Sequence, residues 1–180
     1  MSNIKPNIVF IHTDQQRSDT LGCYGNTIVR TPNLDQLAES GVCFKEAYCT
    51  HPLCSPSRAT WITGEYIHSH GLWRNGIALS ETRENVVKSL SKSGYKTASI
   101  GKIHLTPYHG DPAIHLEAMQ MDNDVKRPTE KECWDFWRAH PFDSEYYGYE
   151  HVRMAVGHGD YGISGGHYGL WIHDQHPDKI

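Results

Sequence analysis

Several classes of protein are excluded by what this sequence lacks. No stretch approaches the ~20 consecutive apolar residues needed to cross a bilayer, and Met1-Ser2-Asn3-Ile4-Lys5-Pro6 opens without the apolar run of a secretory leader. The expectation is a cytoplasmic protein with no membrane partner. Lysine and arginine total 17 against 21 acidic residues, a formal net charge of −4 with histidines neutral, so the strongly basic face of a general nucleic-acid binder is missing. Acidity this mild does not mark disorder either. Cysteines number 5, an odd count without a C-x-x-C pair, which fits neither a disulfide framework nor a zinc ribbon. No internal repeat, low-complexity tract or Gly/Ser linker divides the chain.

The 180 residues, 38% of them apolar, can build one core without staples. What stands out is 13 histidines and 16 glycines, a composition suggestive of a site. Cys23, Cys43, Cys49 and Cys133 read as small buried hydrophobes. Cys54 differs because of its neighbours.

Asn7 to Thr13 is a short, nearly continuous apolar run, expected to be a strand buried on both faces of a parallel sheet, and it ends on Asp14-Gln15. Thr31 to Gly41 reads as a helix, with Thr31 as N-cap, Pro32 at its first position, Gly41 closing it and Leu34 and Leu37 turned inward. Val42 to Tyr48 reads as a second strand. Pro56 through Gly64 repeats the Pro-start, Gly-stop punctuation, placing Cys54 at or just before a helix N-terminus. Glu81 to Ser93 reads as a helix with Val86, Val87 and Leu90 on one face, and Tyr95 to Gly101 as a strand running into Lys102-Ile103-His104. This order predicts a three-layer α/β fold with a mostly parallel sheet. From about residue 106 to 180 the grammar fails, with one helix expected around Thr129 to His140, where Trp134 and Trp137 share a face. No further strand-helix units follow, so the 180 residues are expected to be the N-terminal part of something longer.

Three polar clusters fall at strand ends or helix starts: Asp14-Gln15, Cys54 to Arg58, and Lys102 with His104. Open α/β sheets place their sites at that edge. Asp14 offers hard oxygen for calcium or magnesium, or else caps a turn. Lys102 and His104, two apart on a strand, would project the same way, so one anion could meet both. A nucleophile at Cys54 would sit at the positive end of a helix, with Arg58 one turn on reaching back toward the same centre.

Cys54-Ser55-Pro56-Ser57-Arg58, followed by a helix ending in Thr63-Gly64, resembles the C-x-P-S-R signature of the formylglycine-dependent sulfatases of the alkaline phosphatase superfamily. Thr31-Pro32-Asn33-Leu34-Asp35 and Gly101-Lys102-Ile103-His104 resemble further segments of that family, and together the matches run from about residue 7 to 105. The resemblance implies that Cys54 is oxidised to formylglycine by a formylglycine-generating enzyme. It also implies that Arg58 steadies the modified side chain, that Lys102 contacts the sulfate and that His104 contacts the formylglycine hydroxyl or the sulfate. It implies a divalent cation, Ca2+ with Mg2+ or Mn2+ as alternatives, held by Asp14, Gln15 and the Cys54-derived group.

Two departures shape the reading. Asp14-Gln15 stands where many members carry two acids, a variant resembling the choline-sulfatase and phosphonate monoester hydrolase branches; Asn75 resembles a substrate-contacting asparagine of the latter, and a turn reads equally well. The late metal ligands of the family have no counterpart by residue 180, since Gly157 to Asp160 and His173-Asp174 come too early and in the wrong order. The remainder of the domain, or a second chain, is therefore an expected partner, and the 180 residues alone are expected to be inactive. The expected activity is hydrolysis of a small sulfate ester. Rivals are a phosphonate monoester or phosphodiester hydrolase with the same site, a thiol phosphatase, whose loop needs a wider Cys to Arg spacing, and a histidine-rich metal-binding module suggested by His68-Ser69-His70 and His151 to His176.

Overall fold

The structure is a computed structural model in which residues 5–107, 130–139, 145–157 and 166–177 are described. The chain divides into two units, Met1–Tyr48 and Cys49–Ile180.

In the first unit, two single-turn 3-10 helices, Ser18–Thr20 and Gly22–Tyr24, precede helix α1, Pro32–Ser40. Pro32 occupies the first helical position, where its fixed φ suits the helix and its missing N–H costs nothing. Thr31 stands at the N-cap as expected, yet its side chain does not cap α1. Its Oγ1 instead accepts the Gly22 N–H at 2.8 Å and donates to Asp35 Oδ1 at 3.1 Å. Asp35 Oδ1 also accepts the Cys23 N–H at 2.7 Å, so the threonine and aspartate of the T-P-N-L-D segment bolt α1 to the preceding turn. A Cβ at Gly22 would collide with the Asp35 carboxylate, which is why glycine stands there.

The two strands expected in this unit do not form. Residues 7–13 and 42–48 carry no strand, Val9 is 81% exposed, and Ile8, Phe10, Ile11, Val42 and Phe44 are also exposed. A strand buried on both faces exists only between neighbours, and the first unit supplies none. Leu34 and Leu37 are likewise exposed rather than turned inward. Cys23 and Cys43 are half-buried and Cys49 is exposed, so the expectation of buried cysteines fails for these three. The side chain of Cys133 lies outside the described residues.

The second unit contains the core. Helix α2 spans Cys54–Thr63, α3 Ile67–His70 and α4 Val86–Lys92. The helix expected from Glu81 starts only after Asn85, whose extended backbone and side chain, accepting the Lys88 N–H at 3.0 Å, set the N-cap. Val87 is buried, whereas Val86 is exposed. Strand β1 is Ala98–Gly101, shorter than expected, and it pairs in parallel with β2, His151–Met154, in the register Ala98 to His151 through Gly101 to Met154. Helix α5, Glu130–Ala139, matches the helix expected around 129–140 and buries Trp134 and Trp137.

The stretch expected to be irregular thus holds β2 and a further helix, α6, Gly166–Gln175. In β2 the alternation is plain: Val152 and Met154 are fully buried while His151 and Arg153 face out. Ile62, Leu72, Leu79, Ile103, Leu105, Val152, Met154 and Trp137 form one cluster over this two-stranded parallel sheet. Parallel strands require a long crossover, and with α-helices beside them this is α/β architecture.

Candidate active site

Cys54 is the first residue of α2, preceded by the extended Leu53 at the N-cap. The first turn of a helix leaves its N–H groups without intrahelical acceptors, and here most are spent. Pro56 has no N–H, Ser57 N–H bonds the Leu53 carbonyl at 3.2 Å, and Ser55 N–H bonds Asn75 Oδ1 at 3.1 Å. The Cys54 N–H has no acceptor among the described residues. The positive end of α2 is therefore directed at whatever anion approaches the residue-54 side chain. Cys54 itself is half-buried, while Ser55 and Pro56 behind it are buried.

Arg58 is 5% exposed and donates through Nη1 to the Lys102 carbonyl at 2.7 Å. This bond ties α2 to the segment leaving β1. The expectation that Lys102 and His104 project together from a strand does not hold, because β1 ends at Gly101, which takes φ 105°. His104 is 2% exposed and adopts φ 56°, a left-handed backbone uncommon for a residue other than glycine. Such backbone persists where its surroundings over-determine it. Leu79 N–H to the Leu105 carbonyl, 2.8 Å, with Ile103 and Leu105 buried on either side, provides that constraint.

Asn75 is exposed and stands in a turn with Gly76 at φ 90°, as the turn reading expected, and from there its side-chain oxygen accepts the Ser55 N–H. Tyr149 was not singled out by the sequence. It lines a cavity of about 20 Å³ with Arg58, Trp61, Ser99 and Lys102, room for about one water. Burial pushes its phenol up to about 12, with the nearby Arg58 guanidinium pulling the other way. Only its place in the aromatic run Tyr146-Tyr147-Gly148-Tyr149 could have drawn notice.

Asp14 and Gln15 lie in the first unit, both exposed, with Gln15 at φ 49°. Their oxygens suit a hard cation such as calcium, but the two residues fall short of the about 6 oxygen ligands such an ion takes. No group of three or more His, Cys, Asp or Glu able to hold a metal occurs among the described residues. The histidine-rich module is undercut further: His173 Nδ1 lies 3.0 Å from Asp174 Oδ1, and Arg138 Nη2 reaches the same oxygen at 2.6 Å, joining α5 to α6. His173 and then Arg138 hold the Asp174 carboxyl below the usual range. Residues 158–160 lie outside the described residues.

The sulfatase family model matches residues 6–158, a span holding every site residue named above. The chain is 38% identical over 135 residues to an N-acetylglucosamine-6-O-sulfatase of Bacteroides thetaiotaomicron, covering 74% of this chain and 23% of that protein. It is 46% identical over 105 residues to an arylsulfatase of Clostridium perfringens, 58% and 22% of the two chains. The crystal structure of the phosphonate monoester hydrolase of Agrobacterium radiobacter superposes with TM-score 0.55 and 30% identity, covering 76% of this chain and 29% of that one. The chain therefore spans about a quarter of the length of the relatives it matches. With a cysteine opening a C-x-P-S-R helix, an arginine tied to the lysine of a G-K-x-H segment, and an α/β frame like that of these enzymes, the chain belongs to the sulfatase family.

Proposed function

We propose that the protein hydrolyses a small-molecule sulfate ester, with Cys54 converted to formylglycine as the nucleophile. The observation that carries this reading is Cys54 at the first position of α2, with Arg58 one turn behind it fastened to Lys102. When present, the hydrated aldehyde supplies two geminal hydroxyls, one to attack sulfur and one to release sulfate by collapse. When bound, a divalent cation, for which Asp14 and Gln15 offer oxygen ligands, would supply further charge neutralisation.

The chain's own residues then divide the work. The α2 N-terminus and the Lys102 ammonium stabilise charge on the sulfuryl oxygens, the kind of preorganised electrostatics that contributes most to catalysis. The buried Arg58, fixed at one nitrogen by a carbonyl, orients the residue-54 side chain rather than sweeping through solvent. His104 holds or moves a proton at the attacking or leaving oxygen. A formylglycine-generating enzyme and the remainder of a catalytic domain complete the set of partners, in a cytoplasmic setting.

Phosphonate monoester hydrolysis is the second reading, favoured by the Agrobacterium structure and by Asp14-Gln15. Rates on aryl sulfate and aryl phosphonate monoesters, measured on the chain completed by the remainder of the catalytic domain and co-expressed with a formylglycine-generating enzyme, separate the two. Faster aryl sulfate turnover is expected, and a preference for the phosphonate overturns the first reading. Lys102→Ala is expected to lower kcat by about 10²- to 10³-fold, as loss of one charge-stabilising donor does.

A further inference from the structure

We propose that His70 is a positioning residue for Cys54: its two ring nitrogens tie α2 and the loop reaching Asn75 into one clamp that fixes the first turn of the nucleophile helix. The inference rests on the reading of Cys54 as the reacting residue. His70 is the last residue of α3 and is 5% exposed. Its Nδ1 accepts the Leu72 N–H at 3.1 Å, which places the ring proton on Nε2. That nitrogen lies 3.1 Å from Thr60 Oγ1, on α2, which also receives the Thr50 hydroxyl at 3.0 Å. The segment entering the C-x-P-S-R helix, the helix itself and α3 thus meet at one oxygen.

The clamp has a second jaw. From His70 the chain turns through Gly71 at φ 76°, buries Leu72 completely in the core, and returns with Asn75 to accept the Ser55 N–H. The middle of α2 and its first turn are therefore gripped by two points of one short segment, with His70 as the hinge pin.

The clamp requires neutral His70. A proton on Nδ1 would set one N–H against the Leu72 N–H. The titratable groups around the ring are Glu65 after α2, His68 on α3 and Arg83 before α4, while α2 presents Thr60. Burial holds His70 below its ordinary value of 6.5, Glu65 opposes this, and Arg83 and His68 reinforce it. Between the unfolded and folded values the unfolded chain binds more protons. The clamp's contribution is thus complete above 6.5 and lost as pH falls through the lower folded value.

Amide hydrogen exchange on peptides spanning residues 50–64 of the whole chain tests this without requiring turnover. His70→Asn keeps an oxygen for the Leu72 N–H but cannot reach Thr60, and Thr60→Val removes the oxygen at nearly constant shape. Each is expected to speed exchange of the Ser55 and Ser57 amides by about three- to tenfold, the worth of one hydrogen bond. The double variant is expected to be no faster than either single one. Corrected for intrinsic exchange, first-turn protection in the parent chain falls as His70 takes its proton, and in both variants the profile is flat. Additive effects, unchanged exchange, or a parent-like pH profile in Thr60→Val overturns the clamp, and the last holds even where His70→Asn fails to fold. An inactive Cys54→Ala protein with additive exchange would sink the clamp alone, whereas an active one with coupled exchange would sink the reading of Cys54 alone.

Discussion

In residues 5–48 the specific contacts are polar: Thr31 and Asp35 hold the 22–23 turn, Asn26 Oδ1 accepts the Ile28 and Val29 N–H groups at 2.8 and 2.7 Å, and no described residue is buried. In residues 49–157, by contrast, the polar contacts of the site are laid over a closed apolar cluster of Ile62, Leu72, Leu79, Ile103, Leu105, Val152 and Met154. The sulfatase family model spans both. The difference lies in what each motif needs: hydrogen bonds between residues a few positions apart close by themselves, whereas a two-faced apolar strand closes only against neighbours.

The largest test of that contrast is Leu72→Ala, which empties a fully buried position and is expected to cost about 2–5 kcal/mol, read as a lowered urea midpoint at unchanged slope. A loss under ~1 kcal/mol would mean that the cluster is not the unit's support. Next comes alkali. The Tyr149 phenol is held neutral well past its ordinary value of 10, so stability of the second unit is complete below 10 and declines as pH rises toward about 12. Tyrosinate absorbance should lose a late-titrating component in Tyr149→Phe, and an unaltered titration curve would refute the burial of that phenol.

Asp35→Ala is a smaller, local perturbation, expected to cost about 1 kcal/mol and to speed exchange of the Cys23 amide it accepts. The same substitution with no change at Cys23 would break the account of the first unit as polar-bolted. Smallest is Leu37→Ala on the exposed face of α1, expected within about 0.5 kcal/mol of the parent, and a larger loss would mean that its side chain is covered in solution.

Local punctuation was legible in the sequence. Pro32 with Gly41 and Gly64 after Thr63 marked α1 and the end of α2 to the residue, because these residues act through their own backbones. Apolar runs were not, since 7–13 and 42–48 report an appetite for burial and not its satisfaction. Strand β2 was missed although His151-Val152-Arg153-Met154 alternates, because four residues are too few to stand out among aromatics and glycines. In the site, residue types were legible and directions were not. Arg58 reaching the Lys102 carbonyl, Asn75 capping Ser55 and His104 in left-handed backbone all depend on chain returns across 20 or more positions, or on a break in strand geometry at Gly101.

The account turns on residue 54. Peptide mass spectrometry with an aldehyde-selective label, on the chain completed by the remainder of the catalytic domain, made with a formylglycine-generating enzyme and assayed for aryl sulfate turnover, examines it directly. The expected result is a labelled peptide containing residue 54 in active protein, with label and turnover both absent from Cys54→Ala. An intact Cys54 thiol in protein that turns over the ester would contradict it.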